Sequence, residues 1–193
     1  MNYRDQMQLD DYTVDVRAKL CEYDLTGDYG IGYTAQGDVF YFDKEDYDII
    51  KNLPWHKTQT NYMSAHVRIN GKRPFILMHR LIMNAPQGLF VDHIGGNDTR
   101  NDNRHCNLRL ATCSQNVVNS VLSKRNTSGI RGVRFRYNKW YAQITKDGKQ
   151  IELGAFNTVQ EATKARHDAE LEYFGEFSYD KSQKESKKWQ LSI

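Results

Sequence analysis

Cysteine and proline are scarce in this 193-residue chain, three of each, and no long apolar run occurs anywhere in it. Cys21, Cys106 and Cys113 are odd in number and form no C-x-x-C pair. That speaks against a disulfide framework and for a reducing, intracellular, cytoplasmic setting. A membrane span needs about eighteen or more consecutive apolar residues, and neither that nor a signal-peptide pattern is present. Hydrophobic residues make up only 39%, yet there are 12 tyrosines, so several small aromatic-packed cores are expected rather than one large one. Excess charge of one sign is also missing, the net being +3. The distribution is more informative. Residues 1–52 hold 5 Lys/Arg against 12 Asp/Glu, and the remainder holds 22 against 12. An acidic front followed by a basic remainder is expected where the later part faces a polyanion.

Periodicity and turn residues divide the chain. A helix is possible around Val14 to Leu20. From Tyr29 the pattern turns to β, with a hairpin that ends in Val39-Phe40-Tyr41-Phe42. Asp43 can cap a helix running to about Asn52, with Tyr47, Ile50 and Leu53 on one side, before Pro54 stops it. A second hairpin pairs Tyr62–Ile69 with Arg73–Leu77 across Asn70-Gly71, a strong turn signal. Strands are then predicted at Leu89–Val91 and Leu108–Leu110, separated by a loop of Gly, Asn, Asp and Arg from Gly95 to Cys106. Thr112 with Gln115 is a capping-box signature for a helix through Val121. Residues 123–129 form a polar linker. Three strands follow, Ile130–Arg136, Trp140–Lys146 and Gln150–Phe156. A second capping box, Thr158 with Glu161, opens a helix to about Phe174, with Ala162, Ala165, Ala169 and Tyr173 on one face. The tail from 178 is polar.

The strand–loop–strand–helix segment carries the chemistry. Phosphodiester hydrolysis needs an activated water, a cation on the phosphate and a means of placing both. Histidine suits the base role because its ordinary pKa lies near neutrality. A hard cation such as Mg²⁺ accepts one carboxylate and one amide oxygen and keeps its waters. Asp92 and His93 are adjacent on a predicted strand, so their side chains point to opposite faces unless the strand ends there. Taken singly, Asp92 could be a turn carboxylate, His93 a structural histidine and Asn116 a plain first-turn residue. The ordered set VDHIGGND…DNRHCNLRLATCSQN is what singles them out. From His79 to Asn119 this segment resembles the HNH, or ββα-metal, motif of homing-type endonucleases. The resemblance implies that Asp92 and Asn116 hold one divalent metal, Mg²⁺ or Mn²⁺, that His93 is the general base, and that Asn107 pins the loop to the strands. His79 and Arg80 would contact phosphate. The loop between His93 and Asn107 is about two residues longer than is usual in that family, near Asn97 to Arg100. His105, Cys106 and Cys113 lack a fourth ligand and the paired spacing of a zinc site.

Residues 130–174, through RGVRFRYNKWYAQI and LGAFNTVQEATKARHDAELEYFG, resemble the Apetala/ethylene-response-factor (ERF) DNA-binding domain. The resemblance implies that a three-stranded sheet enters the major groove. Arg131, Arg134, Arg136 and Lys139 match basic contact positions, with Gln143, Lys146 and Lys149 on the following strands. Between Arg131 and Lys149 there are six basic residues and one acidic residue, Asp147. Along the first strand Arg134 and Arg136 share a face, with Val133 and Phe135 toward the helix and Trp140 in the core.

An α+β chain follows from this reading: an acidic β-rich region over 1–60, an HNH nuclease domain over 61–122, the linker, an ERF-type domain over 130–177 and a tail. The expected activity is site-specific, single-metal cleavage of double-stranded DNA by a monomer. The rival is a non-catalytic DNA-binding regulator that keeps the fold. RNA binding is a weaker third.

Overall fold

The computed structural model describes residues 1–7, 13–14, 18–118, 122 and 126–178. It is an α+β chain of small antiparallel sheets and short helices, divided into two compact units, one over Met1–Ala111 and one beginning at Thr112. Among the described residues no helix is long and apolar enough to cross a membrane.

The first unit is built from three small sheets. β1 (Glu22–Asp24), β2 (Gly30–Tyr33) and β3 (Val39–Phe42) pair in that order. β2 alternates glycine with larger residues, and a Cβ on Gly30 or Gly32 would collide with the rings of Phe42 and Phe40, which lie across it from β3. Glycine is required here for close approach of an aromatic ring to backbone. The helix expected after Asp43 is split: a 3₁₀ turn over Lys44–Asp46 leads into α2 (Tyr47–Ile50). Asp43 makes no cap hydrogen bond; its carboxylate receives the backbone N–H of His105 instead (2.7 Å).

β4 (His56–Lys57), β5 (Met63–His66) and β6 (Phe75–Leu77) form the second sheet. The turn joining β5 to β6 has positive φ at both Asn70 and Gly71, the geometry that matches strand twist in a two-residue hairpin loop. β6 runs directly into α3 (Met78–Ile82). β7 (Phe90–His93) and β8 (Leu108–Ala111) make the two-stranded ribbon. One core joins all three sheets, with Phe40, Phe42, Ile50, Trp55, Met63, Ile76, Met78, Val91 and Leu108 in a single buried cluster. The aromatic residues thus pool in one core here, and the N-terminal region buttresses the ribbon.

The second unit starts with α4 (Cys113–Val118), whose first turn carries the reciprocal Thr112–Gln115 capping bonds. Residues 119–121, the rest of that expected helix, lie outside the described residues, as do 123–125 of the linker, 15–17 of the first expected helix, and the tail from 179. Val118 packs with Ile144, Ala169 and Phe174. β9 (Val133–Arg136), β10 (Lys139–Lys146) and β11 (Lys149–Phe156) form an antiparallel sheet in the order β11-β10-β9. α5 (Val159–Phe174) opens on a complete Thr158–Glu161 capping box and lies against it through Ala162 and Ala169. Gly132 is required: its φ is +72°, and a Cβ there would run into the Gln143 carbonyl and the Arg166 side chain. Phe135 corrects an expectation. It is 56% exposed rather than under the helix, because it stands at the open hairpin end, opposite Trp140, and leans on that ring at 5.0 Å. Trp140 is half-buried against the Val133–Ala142–Ala162 cluster.

Candidate active site

β7 ends at His93, and the backbone N–H of the next residue, Ile94, is captured by the Asn107 carbonyl (2.9 Å). The pleat sends Asp92 and His93 to different neighbours. Asp92 lies opposite Arg109 in the ribbon, and its Oδ2 accepts from Arg109 Nε (3.0 Å) and Nη2 (2.8 Å). Both side chains are largely buried. The carboxylate is therefore held in place by a charge-assisted pair.

His93 points into a group of rings. Its ring lies 5.1 Å from that of His79 on α3, edge to face, and 5.7 Å from Tyr62; Tyr62 and His79 are 5.0 Å apart. The Arg100 guanidinium covers the Tyr62 ring at 4.5 Å and donates to the Thr60 carbonyl. Both histidines are buried, and His93 Nε2 and His79 Nδ1 have no hydrogen-bond partner. Burial lowers the His93 pKa to about 4, against the opposing pull of Asn103 and Asp102. His79 is held well below the ordinary histidine value, first by burial and then by His93, Arg80 and Arg100. Each is a neutral imidazole near pH 7, with a ring nitrogen available for a proton or an acceptor.

Asn107, buried at the start of β8, receives the Gly95 N–H on Oδ1 (3.0 Å) and donates through Nδ2 to the Thr99 and Asp102 carbonyls (3.2 and 2.8 Å). One amide thus ties both ends of the 95–102 loop to the ribbon. The long loop is also fastened to β3: Asn103 N–H donates to the Tyr41 carbonyl, and Tyr41 N–H to that of Asn101. Asp102 and Arg104 form a two-point pair that lies over the Tyr29 ring. Arg80 donates to the Leu89 carbonyl and stacks on Tyr3. Asn116 stands on α4 in the second unit.

Sequence reasoning passed over Tyr62, Arg100, Asn103 and Arg109. Asn103 and Arg109 sit inside the quoted motif, so a polar residue adjoining its strands was the available signal. Tyr62 carried none. A second polar group was also missed: single ligand atoms of Asp43, Asp46 and His105 all lie within 4.8 Å of one another.

In the second unit the face of the sheet away from α5 carries Arg134, Arg136 and Lys139, all exposed, and Gln143. Glu152 shares it, 3.4 Å from Arg134. Lys146 alternates to the helix side, with its ammonium over the Tyr173 ring at 5.1 Å, and Lys149 is its register partner. Arg131 precedes β9 and is half-buried.

No family model matches the chain. Over 150 residues it is 28% identical to an uncharacterised HNH endonuclease of Acanthamoeba polyphaga mimivirus, covering 75% of each chain. Over 67 residues it is 40% identical to Protein 3.8 of Escherichia phage T7, covering 34% of this chain and 54% of that one. Among solved structures, that of DNA binding and cleavage by the HNH homing endonuclease I-HmuI aligns over 80% of this chain and 82% of that one, at 21% identity and a TM-score of 0.32. Over three quarters of its length the chain is thus similar in sequence to an HNH endonuclease.

Proposed function

We propose that the chain is a metal-dependent HNH endonuclease that hydrolyses phosphodiester bonds of double-stranded DNA at chosen sites, as a homing-type enzyme does. The observation that carries this is His93: a buried, neutral imidazole with an unpaired Nε2, at the end of a strand beside Asp92, within the ordered HNH-like motif. Nε2 can take the proton of an attacking water as its oxygen bonds to phosphorus and the P–O bond to the departing sugar oxygen breaks. The rings of His79 and Tyr62 pack against that of His93 and hold its orientation. Asn107 has the bonds to fix the loop beneath, and Arg80, which the motif resemblance assigns to phosphate, donates one guanidinium nitrogen to the Leu89 carbonyl.

Asp92 offers a hard carboxylate oxygen, the donor type that Mg²⁺ and Mn²⁺ prefer, and the motif resemblance, not the placement of the two units, pairs it with the Asn116 amide. The donor chemistry fits such a cation, which when bound would neutralise charge on the phosphate and leaving oxygen. The exposed face bearing Arg134, Arg136 and Lys139, with Arg131, Gln143, Lys146 and Lys149 around it, fits an ERF-like DNA reader: arginine can pair two hydrogen bonds with guanine or hold phosphate. Exposed charge on that face is where phosphate contacts would form.

A second reading is a DNA-binding regulator that keeps the fold without cutting. It draws on Arg109, whose guanidinium already occupies Asp92 Oδ2. Incubation with mixed plasmid or phage DNA, with Mg²⁺ or Mn²⁺ and with EDTA, separates the two. Metal-dependent ends at recurring sequences support the nuclease; binding without any cleavage supports the regulator.

A further inference from the structure

We propose that Asp43, Asp46 and His105 form a second divalent-cation site, of transition-metal type, that clamps the loop after β7 onto the N-terminal region. It stands apart from the Asp92–His93 site and does not rest on the nuclease reading.

The first observation is convergence. One ligand atom from each of the three side chains lies within 4.8 Å of the others. Around a tetrahedral zinc-like ion, metal–ligand distances of about 2.0–2.2 Å put neighbouring donor atoms roughly 3.3–3.6 Å apart. His105 Nε2 and Asp46 Oδ2 are already 3.0 Å apart. Asp43 is held next to the imidazole because its Oδ2 receives the His105 backbone N–H.

The second observation concerns the burial of the Asp46 carboxylate. Asp46 is buried, 7% exposed, and its Oδ2 has no hydrogen-bond partner. Its close polar neighbour is His105 Nε2 at 3.0 Å, an ion-pair partner only when the imidazole carries a proton. A desolvated carboxylate oxygen without a hydrogen bond is costly in a folded protein. Its surroundings add to the cost, since the carboxylates of Asp43 and Glu45 bring like charge to the same turn and His105 is the group that offsets it. A cation between the two carboxylates and the imidazole would satisfy the oxygen and relieve the repulsion together.

Donor type selects the ion. Two carboxylates alone would suit Mg²⁺ or Ca²⁺, but an imidazole nitrogen shifts preference toward Zn²⁺, Mn²⁺ and their neighbours. No cysteine belongs to the group, so the zinc arrangement considered from His105, Cys106 and Cys113 is replaced by one built on oxygen and nitrogen. The mechanical consequence follows from position. His105 is two residues before Asn107, which ties the 95–102 loop to the ribbon. Asp43 precedes and Asp46 ends the 3₁₀ turn that leads into α2. An ion here would join that turn to the end of the loop beside His93.

The test uses the full chain without DNA, stripped with EDTA and titrated with Zn²⁺, reading ions bound per chain and Tm. Wild type and Asp92→Asn should both bind zinc, with Tm rising by about 5–10 °C at roughly a hundredfold excess over Kd. His105→Ala, a half-exposed position where folding is safe, should lose the bound ion and the rise; Asp46→Asn should do the same. X-ray absorption of the zinc-loaded wild type should show nitrogen and oxygen ligands and no sulfur. Equal binding by wild type and His105→Ala, loss of binding in Asp92→Asn, a sulfur ligand, or no binding by wild type would each overturn the proposal. A chain that binds zinc this way yet cuts no DNA would refute the nuclease reading alone.

Discussion

The buried His93 makes stability depend on pH in a way that can be worked through. In the folded chain its pKa is about 4, lowered mainly by burial, while an unfolded histidine titrates near its ordinary 6.5. Above pH 6.5 both states carry neutral imidazole, and the group adds no pH dependence. Between 6.5 and 4 the unfolded chain binds a proton that the folded chain refuses, so stability falls as pH falls. A difference of about 2.5 units at about 1.36 kcal/mol each amounts to roughly 3 kcal/mol lost by pH 4, a large share of an ordinary stability of about 5–15 kcal/mol. His79, shifted in the same direction, steepens the same window. The measurement is urea unfolding from pH 4 to 8 in EDTA, so that no bound cation contributes, for wild type and His93→Asn. Wild type should lose stability across pH 6.5–4 and the variant should lose about 3 kcal/mol less over that range. An NMR titration of the His93 ring should show it neutral down to about pH 5. Identical pH profiles for the two proteins, or a His93 ring that titrates at 6.5, would refute the argument that burial sets its charge.

Four further outcomes are expected. His93→Ala should leave DNA binding nearly unchanged while cleavage falls by about 10²-fold or more, read from single-turnover rates on a cleaved site. Asp92→Asn should abolish Mg²⁺-dependent cutting and also leave the Arg109 guanidinium buried without its charge partner, lowering stability by up to about 3 kcal/mol; its activity must therefore be compared at a temperature where circular dichroism shows it folded. Gly132→Ala, at φ +72° and against the Gln143 carbonyl, should destabilise the second unit by about 2–4 kcal/mol in denaturant melts. Arg134→Ala should either lower the salt slope of DNA binding by about one, as a phosphate contact, or cost about 1–3 kcal/mol at one base pair, as a base contact. No change in slope, affinity or site preference would remove Arg134 from the interface.

What the sequence determined by itself is what a few neighbouring residues can decide. The Thr158–Glu161 box closes within one helical turn, and Asn70-Gly71 supplies two positive-φ residues without help from elsewhere. Alternation alone put Arg134 and Arg136 on one face of a strand. The motif around Asp92, His93 and Asn107 was readable because its spacing is fixed by two strands and their loop. Tertiary structure decided who meets whom. Arg109 reaches Asp92 across 17 residues of chain, Asp43 reaches His105 across 62, and Tyr62 comes to His79 and His93 from a different sheet. Phe135 obeyed its alternation and was still left exposed, because a period of two fixes the face of a sheet but not where the helix above it ends. The low pKa of His93 is of the same kind: it is a property of burial, and burial is set by the surrounding elements that pack over a residue rather than by the residues beside it in the chain.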